Sequence, residues 1–439
     1  MEKNFFKKFF TTLSFFTFHF FEAKPKSRFI GTLFAFLFVT LSLTKCDAQN
    51  SLNSYIQSAI KFSPVFADNE NQQQSLALDS LLIRAGLKPQ VGFTSNDLYA
   101  PVVNGFGYDN AITNGANVNA LLGVNYSFAG KKNLSNQFGA LNIQKEILQL
   151  NKKLTERDLK QSVEQQFITV YGEQQDLKNQ QQLLSLLKSE EEILKQLTQS
   201  AVYNQTDYLN FLVTYNQSKL GYAQQLLKAK SDLYVLNYLC GIADTSFVSL
   251  AAPGVSLTEK KSSSSSLGFQ QFVFDSLKLK NDLDKIQFAY KPKLSVLGDA
   301  GYNSSFANHP AKNFGASVGL NFSVPIYDGK QRNIQSQKLQ LQQSTNNASR
   351  NYFTSQFEIR QSQLRNEISQ TEKLKSDAQQ QLQLSQTLLD ADKKLLETGD
   401  LHIADYLLAL SAYITAQSTV TQLEVSRLQL ISQYNYFIQ

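Results

Sequence analysis

From Lys330 to Thr398 the chain contains neither Gly nor Pro. Apolar residues recur at sevens through this run: Ile334, Leu341 and Ala348, then Phe357, Leu364 and Ala378, then Leu382, Leu389 and Leu396. A heptad pattern with shifts of phase predicts helices packed as coiled coils. At about 1.5 Å per residue, a helix of ~65 residues is roughly 100 Å long. No single globular core is that long.

The first half matches in kind. No Pro falls between Pro101 and Pro253, and Leu141, Leu148, Leu159, Val163, Phe167 and Val170 precede Leu183, Leu187, Leu194 and Leu197. Return helices are predicted from Leu209, Leu212, Tyr215, Leu226 and Leu233 in one half and from Leu407, Leu410, Tyr413, Val420 and Leu423 in the other. The intervening positions are rich in Gln, Asn, Ser and Thr, as suits a wall wetted on one surface.

Three anchors recur in order, so the chain reads as an internal duplication. Lys88-Pro89-Gln90-Val91 returns at Lys291-Pro292-Lys293-Leu294, Gly123-Val-Asn-Tyr-Ser127 at Gly319-Leu-Asn-Phe-Ser323, and Thr206-Asp207-Tyr208-Leu209 at Ala404-Asp405-Tyr406-Leu407. The predicted organisation is a signal peptide over 1–48, a first repeat over 49–250, a linker over 251–268 and a second repeat over 269–439. Each repeat holds two strands and a long helical hairpin. These are strands at about 90–99 and 117–128 with a hairpin at 131–240, then strands at about 293–302 and 315–326 with a hairpin at 330–438.

The strands alternate. Val318, Leu320, Phe322, Val324 and Ile326 fall on one face, and Ser317, Gly319, Asn321 and Ser323 on the other. Each is about ten residues long, the length of a tilted strand crossing a bilayer. A half-buried strand of a soluble sheet has the same pattern, and that reading stands beside the membrane one. Four strands cannot close a barrel, and an open sheet in lipid leaves its edges unsatisfied. Strands that span a membrane here must share one barrel among several chains.

The leader has Lys24, Lys26 and Arg28 before an apolar run, residues 29–43, and then Cys46-Asp47-Ala48, a pattern for export and cleavage. Acylation of Cys46 is the alternative to cleavage after Ala48. Cleavage leaves Cys240 as the only cysteine, which excludes an intramolecular disulfide framework. The net charge of +6 comes from Lys and Arg interspersed with Asp and Glu, and it does not indicate nucleic acid. His19, His309 and His402 are scattered, and there is no Gly-rich phosphate loop and no His or Cys pair at metal-ligand spacing. The reading is therefore a non-enzyme without cofactor or metal.

These pieces together resemble the TolC-type outer membrane efflux proteins. The resemblance runs from about Leu52 to the end and is carried by GLNFSVPIYDGK with Asn333, by ETGDLHIADYLLALSAY from Glu397 to Tyr413, and by the opening segment Tyr55 to Pro64. It implies a mixed α and β membrane protein, located in the outer membrane with a periplasmic extension. Four strands from each chain of a homotrimer would form one twelve-stranded barrel in outer membrane lipid, continued by a helical coiled-coil tunnel. The implied partners are a periplasmic adaptor protein and an inner membrane pump of RND or ABC type, and the duct itself is passive. The alternative is a non-channel coiled-coil interaction protein of the periplasm or surface, possibly lipid-anchored through Cys46.

The resemblance also assigns sites. At the helix-to-helix turns, Gly399 matches the turn glycine and Asp405 a gate carboxylate, while Leu408 and Leu401 stand where an acidic and a basic residue belong. In the first repeat Ala201 replaces the glycine and Asp207 keeps the acid. Closure by packing of Leu401, Tyr406 and Leu408 is the expectation in place of an ionic latch. For Asp207 and Asp405, helix N-capping is the competing role. At the barrel-to-helix junction Pro325 removes an amide from the ladder, and Asp328-Gly329 turns the chain.

Overall fold

A computed structural model describes residues 50–109, 111, 115–305 and 309–439. The leader, with Cys46, the cleavage after Ala48 and His19, lies outside the described residues. We number the helices α1 (Leu52–Phe62), α2 (Pro64–Gly86), α3 (Lys131–Gln199), α4 (Gln205–Leu239), α5 (Leu267–Ala289), α6 (Gln331–Thr398) and α7 (Ile403–Ile438). The strands are β1 (Gln90–Tyr99), β2 (Ala116–Phe128), β3 (Lys293–Ser304) and β4 (Phe314–Ser323).

The run without Gly or Pro forms one helix of 68 residues, and α3 is its counterpart of 69. Both end where the backbone turns left-handed. At Gly399 (φ 81°) the amide of Asp400 bonds back to the Leu395 carbonyl at 2.9 Å, and at Ala201 (φ 59°) Val202 bonds back to Leu197 at 2.9 Å. In the sequence, α3 and α6 are each followed by a return helix, and the strand pairs precede them. Each half also opens on a further helix that strand and hairpin anchors alone do not reveal: α2 packs on α3, and α5 packs between α3 and α6.

Below the sheet the long helices form a layer in the order α4, α3, α7, α6, each packed along the next. The core is correspondingly thin and divided. One cluster at the tip includes Leu187, Leu194, Leu396 and Leu410, one near the middle joins Tyr55, Phe167 and Leu236, and one joins Phe357, Leu364 and Tyr434.

The predicted linker over 251–268 overlaps the start of α5 by two residues. α5 begins at Leu267, capped by the Ser266 hydroxyl, which accepts from the Phe269 amide at 3.3 Å. The preceding segment crosses the layer on polar ties. Gln174 Nε2 donates to the Val248 carbonyl at 2.9 Å, Asn435 Nδ2 to Ser256 at 2.8 Å, and Gln361 Nε2 to Lys261 at 3.1 Å.

The four strands pair antiparallel in chain order, β1-β2-β3-β4, leaving β1 and β4 as free edges. Cross-strand register sorts the side chains into two faces. Val91, Val124 and Val318 fall in one row, and Phe93, Leu122, Ala300 and Ala316 in the next; both lie on an apolar face that Ser95 and Asp97 interrupt. The opposite face carries Asn96, Asn119 and Asn303 in one row, with Leu98, Leu121 and Leu297 as its apolar exceptions. The apolar face is uncovered within the chain, with Val318 84% exposed. The strand read over 315–326 ends earlier, at Ser323, so Val324, Pro325 and Ile326 lie beyond it. The residue before a proline is itself restricted and proline has no amide to donate, so the ladder stops short of it.

Candidate functional site

Two places collect the residues singled out in the sequence, the paired hairpin turns and the junction after β4. At the turns, the first and second hairpins meet tip to tip. Gly399 closes α6 against the first hairpin so tightly that a Cβ there would lie 2.5 Å from Val202 Cγ1. A left-handed turn favours glycine, and this close approach adds to the preference. Tyr203, from the first turn, places its hydroxyl 2.9 Å from the carbonyl oxygens of both Leu396 and Leu401, tying one turn to the other.

Asp207 and Asp405 occupy equivalent places, the third residue of α4 and of α7. Neither supplies the cap. Asn204 Oδ1 accepts from the Asp207 amide at 2.9 Å, and His402 stands at the N-cap of α7 with no side-chain bond. Both carboxylates still lie in the first turn, where the helix dipole favours them, and Asp405 is exposed. Together with Asp400 they give the tip an acidic rim.

Of the apolar trio, Leu408 is 73% exposed and Leu401 is partly buried against the tip cluster. Tyr406, the third residue of the expected packing closure, lies deeper than the other two. Its ring is fully buried inside this chain's own tip cluster, so it braces the hairpins rather than lining an opening. Its repeat mate Tyr208 is partly buried and donates to Glu191 Oε1 at 2.7 Å. That bond, with burial and the charge of Glu191, pushes the Tyr208 phenol up to about 12.

At the junction, Asp328 Oδ2 accepts from the Arg332 amide at 2.7 Å and so holds the start of α6. The Tyr290 hydroxyl is the main cause that keeps the Asp328 carboxyl below the usual carboxylate range, with the Arg332 amide next. Gly329 (φ 66°) and Lys330 (φ 69°) make the turn left-handed. The first-half junction reaches α3 through Gly130 at φ −61°, with no left-handed residue. The two crossings therefore differ in backbone as well as in their proline.

Tyr203 carried no sequence signal, and neither did the ion pair that joins the two hairpins beside it, Lys393 Nζ to Glu190 Oε1 at 2.7 Å. Asn204 did, since Asn204-Gln-Thr-Asp207 has the spacing of a capping pair. Among the described residues no group of three or more His, Cys, Asp or Glu could hold a metal, and no helix is long and apolar enough to cross a membrane.

No protein-family model matches the chain, and no curated protein matches it in sequence. Solved structures do match. The outer membrane protein VceC from Vibrio cholerae is similar at 13% identity and TM-score 0.69, over 89% of this chain and 96% of that one. The Campylobacter jejuni CmeC outer membrane channel is similar at 12% identity and TM-score 0.69, over 88% and 85%. The open state of the Neisseria gonorrhoeae MtrE outer membrane channel is similar at 12% identity and TM-score 0.68, over 89% and 89%. The chain has the fold of TolC-type outer membrane channels.

Proposed function

We propose that this chain is one subunit of an outer membrane duct serving a tripartite efflux or type I secretion system. The observation that carries the reading is the four-stranded sheet, whose apolar face is bare and whose two edges are unpaired. In water such a face is an aggregation hazard, and in lipid the open edges are untenable. Copies joined edge to edge, β1 of one to β4 of the next, remove both problems. The apolar face then meets lipid and the Asn-rich face meets the lumen.

The helical layer has the same geometry. Below the sheet, α4 and α6 are its outer helices, and both carry exposed apolar residues. On α4 these include Val213, Leu220, Leu227 and Tyr234, seven residues apart; on α6 they include Leu374, Leu388 and Leu395. α3, packed on both sides, has no exposed large apolar residue. The rotation that pairs β1 with β4 also pairs α4 with α6, a head-to-tail interface that closes into a ring.

The TolC-type fold supports three copies and twelve strands, an outer membrane site with a periplasmic extension, and docking to an adaptor protein and an RND or ABC pump. Passage is passive, and energy comes from the pump. At the periplasmic end Asp207 and Asp405 ring the opening and select for cations, Leu401 and Leu408 narrow it, and Gly399 shapes the turn.

Membrane fractionation followed by gels of unheated and boiled samples tests the reading. An outer membrane species that needs detergent and shifts from oligomer to monomer on boiling is the expected result. A soluble monomer would instead establish the coiled-coil interaction protein.

A further inference from the structure

One carboxylate stands apart from its surroundings on the Asn-rich face of the sheet. Among the described residues of the four strands, that face carries two charged side chains, Asp299 and Lys293, both on β3. Asp299 lies mid-strand in the row Gly92, Gly123, Asp299 and Ser317. Ser317 Oγ donates to Asp299 Oδ2 at 2.7 Å and holds the carboxylate in that row. The positions about it are largely glycine: Gly123 beside it, Gly301 next along β3, and Gly315 and Gly319 diagonally across on β4. Glycine weakens the interior of a strand. At Gly92, Gly315 and Gly319 an added Cβ would meet nothing within 4 Å, so no packing demand requires glycine there. The result is a clearing of bare wall around a single charge.

We propose that Asp299 is a selectivity-determining residue of the duct: its copies form a ring of carboxylates inside the barrel that favours cations and retards anions. The inference rests on the duct reading, and it sets a second station apart from the rim of Asp207 and Asp405 at the far end of the helices. The ring acts as fixed charge along the path, not as a coordination site. Twelve strands spaced ~4.8 Å and tilted ~40° enclose a backbone cylinder about 24 Å across. A carboxylate on its inner wall then stands roughly 9 Å from the axis, close to one Debye length at physiological salt. Its charge therefore still acts on an ion at the axis. Lys293 opens β3, six positions earlier (299 − 293), roughly 20 Å away at ~3.3 Å per residue. That is more than twice the Debye length, so its positive charge does not cancel the ring.

The test is the reversal potential of the purified oligomer in a planar lipid bilayer under a potassium chloride gradient. Asp299→Asn is expected to lower the ratio of potassium to chloride permeability by about fourfold, the effect of three screened charges at ~9 Å. Asp299→Lys is expected to lower it further, towards chloride, and Asp299→Glu, which keeps the charge, to keep the ratio. The same drop from Asp299→Asn in an Asp405→Ala background separates the barrel ring from the tip rim. A conducting Asp299→Asn oligomer with the wild-type ratio overturns the proposal and leaves the duct standing. If Asp299→Asn does not assemble, Asp299→Ser and Asp299→Glu decide: a lowered ratio in the first alone supports the ring, and the wild-type ratio in both overturns it. A wild-type oligomer that never conducts overturns the duct, and the ring with it.

Discussion

Ala201 and Gly399 end equivalent long helices in the same left-handed conformation, yet only one of them is a glycine. An alanine held there pays about 1–2 kcal/mol in steric strain, partly offset by the smaller entropy it loses on folding. Ala201→Gly should therefore stabilise the protein by about 0.5–1 kcal/mol, seen as a higher melting temperature in detergent. A lower one would mean that the turn is not under strain. Asp405→Ala tests the rim: with roughly 1 kcal/mol of attraction per carboxylate at ~4 Å in water, block by multivalent cations should weaken by about tenfold or more. Unchanged block removes the gate role from Asp405. The need for glycine at 399 was legible because turn chemistry is local. The tie from Tyr203 and the charge pair of Glu190 were not, since each depends on residues some two hundred positions away.

The long helices were legible as elements from their heptads, but only one face of them was. Of the residues read as packing positions on α4, Leu212, Tyr215, Leu226 and Leu233 face inward and are partly or fully buried, whereas Leu209 is 51% exposed. The second stripe at Val213, Leu220, Leu227 and Tyr234 went unread, because a helix apolar on two faces signals two neighbours, and in the proposed duct one of them belongs to another copy. Leu220→Glu with Leu227→Glu should leave the subunit folded, as both side chains are already exposed within it. At about 1.5–3 kcal/mol for each buried leucine, association should weaken by more than a hundredfold. Light scattering of the detergent-solubilised protein reads this directly, and an intact oligomer would refute the α4 seam. Where α3, α4 and α7 adjoin, burial and then Glu173 push Asp176 up from 3.8 to about 6, against the lowering effects of Lys228 and Thr421. A carboxyl that binds its proton more tightly when folded favours the fold in acid. Its contribution falls away as pH rises from about 4 to about 6, and above that the ionised group is a standing cost. Asp176→Asn should raise stability by about 1–2 kcal/mol at pH 7.5, allowing for solvent reaching the cleft, and by little at pH 4. Melting curves at the two pH values check the sign.

At the scale of the molecule, alternation and duplication made four strands legible, too few to close a barrel, so the proposed duct takes the remaining strands from other copies. Where β4 would stop, and that a further helix opens each half, was not readable, because ladder ends and helix packing depend on neighbours that the local pattern does not name. The bare apolar face, the paired free edges of sheet and helical layer, and the TolC-type fold all lead to one claim, that several copies close a continuous duct. Single-channel recording of the purified oligomer in a planar lipid bilayer tests it most directly. Discrete, long-lived conductance steps from the oligomer, absent from the Leu220→Glu/Leu227→Glu protein, are the predicted result. A folded, membrane-inserted oligomer that never conducts would contradict it.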